Sequence, residues 1–386
     1  MFDLSRHPYF TEYIDPKSKV KSYVLTEKIA PLQQHFYFAQ PSVTEDGKYL
    51  WLYCAYPPAT YMVLAVVSLD PDNPFYRIFP HAARVEDGGY PCITPEGDGV
   101  YFGAGNTLYK LDVEGNLTKI LTVGNDILQN RKITRLFTHA SISPDNKYIA
   151  LDMIIGNKWY MAIGDIHTGE IKMLNKYGRC YDHAMFSPKD PNLILLDQDW
   201  WRDADTGEYF PINNRMWLLT TDGKSFQPAL KNSFYWHDGT EIAHDYWSGD
   251  GHLCWADYPN GAYELDEETG QSVCVWKRPV CHSHCTHHRE YFVADQSPYI
   301  WKNTPCRVLF FDRKTNKEVD IFSALPYLEV LGNRWFHSDP HPQFCAKDSM
   351  VVATVTVFGA ITVAITDIEE LKTKCQENGY VVGCEK

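Results

Sequence analysis

The sequence lacks several features that would assign it to familiar classes of protein. No run of 18 apolar residues occurs in its 386 residues, so it predicts no membrane-spanning helix. The N-terminus has no basic stretch followed by an apolar one, so we expect no secretory signal there. Basic residues are scarce: 36 Lys and Arg against 49 Asp and Glu give a net charge of −13, which argues against nucleic acid as a partner.

Motifs of several enzyme classes are missing as well. No Gly-x-Ser-x-Gly elbow is present, which disfavours a serine hydrolase. No nucleotide-binding glycine loop occurs, since the Gly103–Gly105 stretch follows a strand pattern without opening a helix. The 11 cysteines are odd in number and have no framework spacing, which predicts reduced thiols and a cytoplasmic protein.

The sequence is rich in aromatic residues and in short, repeated strand patterns. Aromatic residues make up 14% of the chain, which suits both a carbohydrate-handling surface and a strand-rich fold. Strand-like runs recur seven times, most of them led by a turn of the Ser/Thr-Pro/Glu-Asp/Glu-Gly type. The seven runs are Ser42–Tyr53, Cys92–Phe102, Ser141–Leu151, Phe186–Leu196, Tyr246–Trp255, His287–Asp295 and Phe344–Val355.

This repeat predicts an all-β fold, a seven-bladed β-propeller. A period of roughly 40–60 residues with four short strands in each unit is typical of propeller blades. No low-complexity linker interrupts the chain, so we predict a single domain over residues 1–386, with residues 1–30 as an N-terminal segment able to close the last blade. The pattern over Asp367–Cys375 predicts a short C-terminal helix.

Histidines recur at one place in the repeat, shortly before the leading strand of a unit. In a propeller, positions of this kind lie beside the central channel, so residues far apart in sequence can converge on one pocket. Any single one of them is more often a hydrogen-bonded core histidine, but six at equivalent repeat positions favour a shared role. The six histidines are His35, His139, His183, His244, His284 and His341.

The stretch at residues 335–344 carries three potential metal ligands beside two prolines. His337, Asp339 and His341 alternate along the chain, so an extended backbone would present them on one face. With His284 from the preceding unit they predict a divalent metal site, for which Mn²⁺, Zn²⁺ and Fe²⁺ are all suitable. Cys281 and its neighbours, including Cys285, also allow a separate structural zinc site.

Arg215 and His244 are candidates for chemistry on an acidic substrate. An arginine that enters the channel can bind a carboxylate bidentately, and Arg202 is a second, weaker candidate. Strand alternation places His244 and Tyr246 on one face, where they suit proton abstraction from carbon and protonation of a leaving oxygen. A strand-edge arginine and a core histidine are the plainer alternatives.

At these residues the sequence resembles oligogalacturonate lyases, seven-bladed propeller enzymes that use Mn²⁺. The resemblance implies that His244 is the general base, that Arg215 binds the substrate carboxylate, and that His284 and His341 bind the metal. The matching pieces run through most of the chain: His35–Phe38, Asn214–Leu218 with Asp222-Gly223, His244–Trp247, Ser283-His284 and Asp339–Pro342.

The chain departs from that family at the metal ligands. Asp339 stands where the family has a histidine, and Phe336 stands where it has a metal-binding glutamine. His337, Asp339 or Gln343 would then complete the ligand set. Ulvan lyases and related uronate lyases look similar and use His/Tyr chemistry, so they compete for the assignment.

The sequence therefore predicts a metal-dependent lyase that cleaves a uronate-containing oligosaccharide by β-elimination and leaves a 4,5-unsaturated uronate. Manganese is the first choice of metal, and His35, His183 and Arg202 are further substrate-binding candidates. The alternatives are an ulvan or other uronate lyase, a non-catalytic propeller that binds a sugar or a protein, and a metal-dependent hydrolase or epimerase. The oligomeric state is not predicted.

Overall fold

A computed structural model describes residues 3–26, 29–59, 61–84, 89–230, 241–297, 305–326, 328 and 339–382. Phe336 and His337 lie outside these residues, so what was predicted for them stays a prediction. Strands predominate in the described chain, which also contains two α-helices. Neither of these helices is long and apolar enough to cross a membrane.

The first half of the chain forms an initial pair of strands and then three groups of four. The pair is β1 (Phe10–Ile14) and β2 (Lys21–Leu25). The first group is β3 (Leu32–Gln34), β4 (Tyr49–Ala55), β5 (Met62–Ser68) and β6 (Tyr76–Arg84), and the second is β7 (Cys92–Ile93), β8 (Gly99–Ala104), β9 (Thr107–Asp112) and β10 (Leu117–Thr122). Helix α1 (Asn125–Leu128) precedes the third: β11 (Ile133–Arg135), β12 (Tyr148–Ile155), β13 (Lys158–Asp165) and β14 (Ile171–Tyr177).

Four further groups follow. The fourth contains β15 (Tyr181–Phe186), β16 (Leu193–Gln198), a separate ribbon of β17 (Trp201–Arg202) and β18 (Tyr209–Phe210), then β19 (Met216–Thr220) and β20 (Phe226–Pro228). The fifth is β21 (Ile242–Trp247), β22 (Leu253–Asp257), β23 (Gly261–Asp266) and β24 (Gln271–Trp276). The sixth is β25 (Ser283–Cys285), β26 (Tyr291–Gln296), β27 (Cys306–Asp312) and β28 (Lys317–Leu325). The seventh is β29 (Gln343–Cys345), β30 (Met350–Val355) and β31 (Thr362–Asp367), with a 3₁₀ turn at Val357–Gly359; α2 (Ile368–Asn378) and β32 (Tyr380–Val381) end the chain.

These seven groups are the blades of a β-propeller, so the predicted fold class is confirmed. The N-terminal strands belong to the seventh blade, where β2 pairs with β31 through Tyr23 opposite Ile365 and Val24 opposite Ala364. Strand β32 extends the sixth blade at the edge of β28.

The internal contacts divide the chain into two compact units, which we describe separately. The first unit comprises Met1–Ala83, Cys254–Glu264 and Val273–Lys386. The second unit comprises Arg84–Leu253 and Leu265–Ser272. The single domain expected over residues 1–386 stays a prediction.

The repeated turn found in the sequence has a hydrogen-bonding explanation. In the first blade, the Thr44 hydroxyl donates to Asp46 Oδ1 at 2.7 Å and accepts the Tyr49 N–H at 3.1 Å. Gly47 supplies the positive φ of 73° that this turn requires. Ser143 takes the place of Thr44 in the third blade and makes the equivalent bonds. The motif thus marks the entry to a blade because its polar atoms bond to one another.

The two middle strands of the first blade are apolar and buried on both faces of the sheet. All seven residues of β5 are buried, as are six of the seven in β4. In the first unit, one core cluster joins Leu52, Val67, Val352 and Ile365, each fully or almost fully buried. Full burial of such a side chain stabilises the fold by roughly 1.5–3 kcal/mol, so these contacts hold the sheets that carry the polar side chains described below.

Helix α2 confirms the predicted C-terminal helix and continues to Asn378. Asp367 caps its N-terminus by accepting the N–H groups of Glu369 and Glu370 at 2.7 and 3.4 Å. Leu371 and Cys375, one turn apart, bury their side chains in a core cluster of the first unit. Packing of this face therefore anchors the helix to its own unit.

Candidate active and metal-binding residues

Three histidines predicted for the site have a left-handed backbone. The φ angle is 54° at His183, 50° at His244 and 45° at His341, and these are three of only thirteen non-glycine residues with positive φ in the described chain. The conformation costs a residue with a Cβ about 1–2 kcal/mol, and such strain collects at functional sites. In β15, the pairing with β16 also shifts register between Asp182 and Met185, which is a bulge around His183. The bulge re-aims the His183 side chain.

Arg215 is buried in the second unit among carboxylates. Its Nη2 lies 2.5 Å from Asp197 Oδ2, and its Nη1 lies 3.6 Å from Asp199 Oδ1. Its Nε lies 3.7 Å from Asp245 Oδ1. The arginine predicted to bind a substrate carboxylate thus has three carboxylate neighbours in its own unit, and a substrate would have to share it with them.

The same cluster extends to His183. The Nδ1 atom of His183 lies 2.7 Å from Asp182 Oδ1 and 3.9 Å from Asp197 Oδ2. Asp197 Oδ2 therefore contacts both the imidazole and the guanidinium of Arg215. On the far side, Arg135 Nη2 donates to the other Asp182 oxygen at 3.1 Å. Asp152 Oδ2 lies 3.8 Å from the same Arg135 nitrogen. We call these residues, with Asp199 and Asp245, the arginine–aspartate cluster.

Carboxylates outnumber arginines in this cluster, so the protonation of each matters. Burial acts to raise the pKa of Asp182, but the neighbouring His183 and Arg135 hold that pKa well below its usual range. Burial raises the pKa of Asp197 well above its usual value, and the charge of Asp245 adds to the effect against the attraction of Arg215. Asp182 is thus the more acidic of the two carboxyl groups, and Asp197 is the more readily protonated.

A second histidine lies against His183. The rings of His139 and His183 have centroids 4.8 Å apart, and His139 stacks on Tyr90 at 5.3 Å with an interplanar angle of 13°. His139 and Tyr90 are also joined by an isolated β-bridge. Two histidines from consecutive blades are therefore brought together, as the repeat predicted, whereas Tyr90 carried no signal in the sequence.

His244 and Tyr246 differ in their exposure. The left-handed backbone at His244 interrupts the alternation on which their shared face was predicted. His244 is partly exposed, whereas Tyr246 is almost completely buried. Asp245, between them, is buried and faces Arg215. The strand thus leaves the histidine partly exposed while it directs the carboxylate of Asp245 into the arginine–aspartate cluster.

In the first unit, the ring of His341 lies against His282, whereas the sequence predicted His284 as its partner. Their ring centroids are 4.1 Å apart in an edge-to-face arrangement with an interplanar angle of 89°. Tyr37 packs against both, with its ring centroid 4.9 Å from that of His341 and 5.9 Å from that of His282. We call His282, His341, Tyr37 and the carboxylate described next the histidine cluster.

Asp295, at the end of β26, holds both histidines of this cluster. Its Oδ1 accepts the His282 N–H at 2.9 Å, and its Oδ2 lies 2.9 Å from His282 Nδ1. The same Oδ2 accepts the His341 N–H at 3.1 Å. A carboxylate hydrogen-bonded to one imidazole nitrogen is the usual support for a histidine whose other nitrogen binds a metal. His282 therefore fits as a metal donor, and His341, whose backbone the same carboxylate holds, lies beside it as the second candidate.

His35 supports the histidine cluster from behind. Its Nδ1 lies 2.6 Å from Thr354 Oγ1, and its Nε2 lies 2.8 Å from the His341 carbonyl oxygen. Both ring nitrogens of this buried side chain therefore bond within the first unit. These contacts suit a residue that fixes the His341 backbone. The predicted role of His35 in substrate binding stays a prediction.

His284, predicted as a metal ligand, makes a different kind of contact. Its Nδ1 accepts the Phe344 N–H at 3.1 Å, and the two rings have centroids 6.1 Å apart. Burial lowers the pKa of His284 to about 4. The neutral ring thus ties β25 to the strand that follows His341.

The other predicted ligands of the first unit are divided. Asp339 Oδ1 accepts a hydrogen bond from the Ser297 hydroxyl at 2.5 Å. Cys281 Sγ lies 3.8 Å from His282 Nε2, so this thiol belongs with the histidine cluster. Cys285 instead lies beside Cys254, a contact that raises the pKa of the Cys254 thiol together with burial.

Arg202 lies in the second unit on the ribbon of β17 and β18. Its Nη1 donates to the Gly207 carbonyl oxygen at 3.0 Å, and its guanidinium lies 5.7 Å from the Tyr209 ring centroid. The side chain is exposed. Arg202 is thus separate in chemistry from Arg215, since its described neighbours include no carboxylate.

The sequence reading missed Asp182, Asp197, Asp245, Asp295 and His282. A usable signal existed for two of them, because a lone aspartate at or near the end of an apolar strand run is expensive to bury unless it has a partner. Asp197 follows Leu193–Leu196 in this way, and Asp295 follows Tyr291–Ala294.

The fold is that of a seven-bladed β-propeller, and two solved structures share it over nearly the whole chain. An oligogalacturonate lyase in complex with manganese superposes with a TM-score of 0.75 and is 17% identical, covering 93% of this chain and 96% of its own. An oligogalacturonate lyase from Vibrio parahaemolyticus gives a TM-score of 0.74 at 18% identity, with the same coverage. Neither a protein-family model nor a curated protein sequence matches the chain. The structural neighbours are thus the proteins that the sequence motifs resemble.

Proposed function

We propose that this protein is a lyase that cleaves uronate-containing oligosaccharides by β-elimination. The observation that carries the proposal is the contact of Asp197 Oδ2 with both Arg215 and His183, in a unit where His183 and His244 hold strained backbones. A cation for a carboxylate and imidazoles for proton transfer are the groups this reaction needs. The similarity in fold to oligogalacturonate lyases supports the same reading.

Arg215 would hold the uronate carboxylate. Its positive charge remains available only if the surrounding carboxylates do not neutralise it completely. A proton on Asp197, favoured by the raised pKa of that group, removes one competing negative charge next to the guanidinium. The substrate carboxylate would then take over part of the pairing, and it would withdraw electron density from C5 of the sugar.

His244 would remove the C5 proton. As the C5–H bond breaks, the electron pair forms the C4–C5 double bond and the C4–O bond to the leaving sugar breaks. The departing oxygen takes a proton from water, because Tyr246 is too deeply buried to be the first choice of donor. The partly exposed side chain of His244 is the one with access to a ligand.

A divalent metal, with manganese first and zinc or iron as alternatives, would be held by His282 and His341 of the first unit. Their support by Asp295 is the reason for this assignment. When bound, the metal supplies Lewis-acid stabilisation of carboxylate charge. The chain's own contribution is to fix the His282 imidazole through Asp295 and to hold the His341 backbone through Asp295 and His35.

The test is to mix the purified protein with galacturonate, glucuronate, ulvan and glycosaminoglycan oligomers and to follow the absorbance of the new double bond. We expect product from at least one uronide and none from neutral oligosaccharides. His244→Ala should reduce kcat by a factor of about 10²–10⁴, the usual contribution of a general base. Full activity of that variant would refute its role, and the panel decides between oligogalacturonate and other uronate lyases.

A non-catalytic, sugar-binding propeller is the second candidate. The observation that favours it is that Arg215 already has three carboxylate neighbours, as a structural arginine would. This candidate predicts uronide binding in calorimetry without any unsaturated product over long incubation. A double bond formed in proportion to enzyme concentration would exclude it.

A further inference from the structure

The ribbon of β17 and β18 is an insertion in the fourth blade. It lies between β16 and β19, which pair directly with each other, and it is the one two-stranded sheet among the described strands. An insertion that adds nothing to the blade's own ladder is free to serve a binding role.

The two faces of the ribbon are different in character. Trp201 pairs with Phe210 across the ribbon, and Trp201 packs edge-to-face on Trp159 at 5.3 Å. Arg202 pairs with Tyr209 on the opposite face, and both side chains are exposed. One face therefore fastens the ribbon to the third blade, while the other is presented to solvent.

Two large aromatic side chains stand on or beside the exposed face. Trp200, which shares the parity of Arg202, is 59% exposed, and Tyr209 is 52% exposed. One exposed aromatic side chain needs no explanation, but two of them beside an arginine offer a ligand both stacking faces and a positive charge. The Arg202 guanidinium lies 5.7 Å from the Tyr209 ring centroid and is held there by its bond to Gly207.

The base of the ribbon is joined to the surroundings of Arg215. The Trp200 N–H donates to Asp199 Oδ1 at 2.9 Å, and the same oxygen lies 3.6 Å from Arg215 Nη1. The Gln198 N–H donates to the Arg215 carbonyl oxygen at 2.7 Å. Trp200 is thus one residue away from a carboxylate that contacts the arginine proposed to bind the substrate.

We propose that Trp200, Arg202 and Tyr209 form a third uronide subsite, next to the unit held at Arg215 on the side away from the leaving sugar. A dimer would fill the two subsites on either side of the cleaved bond, and the third sugar of a trimer would reach the ribbon. The aromatic faces would stack on the C–H face of a pyranose ring, and Arg202 would pair with the carboxylate of that same sugar. The inference rests on the proposed function for the identity of the sugar. If the ribbon binds this sugar, the protein should bind longer oligouronides more tightly than shorter ones.

The experiment measures binding of uronide dimers and trimers by calorimetry, with every variant made in a His244→Ala background so that the ligand persists. Trp200→Ala should weaken trimer binding roughly tenfold and change dimer binding less than twofold. Arg202→Gln should weaken binding of the acidic trimer but not of its methyl-esterified form. Phe358→Ala, which removes an equally exposed aromatic residue in the first unit, should change neither affinity.

The outcomes separate the subsite from the lyase reading. An unchanged ratio of trimer to dimer affinity in Trp200→Ala, with normal cleavage by the protein that retains His244, overturns the subsite alone. Trimer binding that depends on Trp200, in a protein that forms no unsaturated product from any uronide, supports the subsite and overturns the lyase. Absence of uronide binding by any form of the protein overturns both.

Discussion

Asp295→Asn is the substitution that tests the histidine cluster most directly. Asparagine keeps the size of the side chain, but it removes the charge and replaces one acceptor oxygen by a donating amide. The affected contacts are those of Asp295 to the His282 N–H, to His282 Nδ1 and to the His341 N–H. The substitution therefore loosens both proposed metal donors without creating a cavity.

The expected loss follows from the role of a carboxylate behind a metal-binding histidine. Removing such support lowers metal affinity by about 10–100-fold. That loss corresponds to about 1.4–2.7 kcal/mol, at 1.4 kcal/mol for each factor of ten. Without metal, the loss of hydrogen bonds to a charged group should also lower the free energy of unfolding by about 1.5–3 kcal/mol.

The assay is a calorimetric titration of metal-stripped protein with Mn²⁺. Urea unfolding of the same samples measures their stability. Asp15→Asn is the matched control, since Asp15 is fully buried in the same unit and accepts hydrogen bonds from Ser18 and Ser323. It should lower stability and leave Mn²⁺ affinity unchanged. Equal Mn²⁺ affinity for Asp295→Asn and the unsubstituted protein, or an equal loss in the control, would refute the reasoning.

Three further predictions concern backbone strain, pH and charge. Because φ is 50° at His244, glycine fits this backbone better than alanine, and the free energy of unfolding should be about 1 kcal/mol higher for His244→Gly than for His244→Ala. Equal midpoints of urea unfolding would contradict the left-handed conformation. Burial depresses the pKa of His284 from 6.5 to about 4, so the native state binds fewer protons than the unfolded state and its stability falls as the pH drops from 6.5 to 4. In urea titrations, His284→Gln should remove up to about 3 kcal/mol of this fall, and an unchanged pH profile would argue against the shift. Asp182→Asn should lower the free energy of unfolding by about 3–5 kcal/mol because it breaks a buried ion pair. Asp197→Asn should lower it less, because asparagine resembles the protonated acid that Asp197 forms more readily, and the reverse order in urea unfolding would contradict the assigned order of the two pKa values.

The fold was predictable from the sequence because its signals are local. Several blade entries are set by a hydroxyl, a carboxylate and a residue with positive φ within a few positions, as at Thr44, Asp46 and Gly47. The helix at the C-terminus was equally local, since Asp367 caps it and apolar residues recur one turn apart. These patterns need no knowledge of distant contacts.

The site was predictable only in part because its geometry depends on contacts between distant strands. The sequence named His284, but β25 begins at Ser283, and the residue before that strand, His282, is the one that Asp295 fixes beside His341. No local pattern reports which of two histidines, two positions apart, will meet a carboxylate 13 residues later. The left-handed backbone at His341 was invisible for the same reason, because the residue is not glycine.

A common device links the strained histidines to the missed aspartates. A regular strand sends neighbouring side chains to opposite faces, and a left-handed residue changes that course. In Asp182-His183 and His244-Asp245 the carboxylate is buried toward an arginine while the histidine stays partly exposed. Strain of about 1–2 kcal/mol at each histidine is tolerated because ion pairs and apolar packing fix the neighbouring aspartate. The buried aspartates thus hold the two histidines in a backbone conformation that these residues would not adopt alone. For this reason we expect substitution of Asp182 to alter the chemistry of His183, and substitution of Asp245 to alter that of His244, although neither change removes a ring.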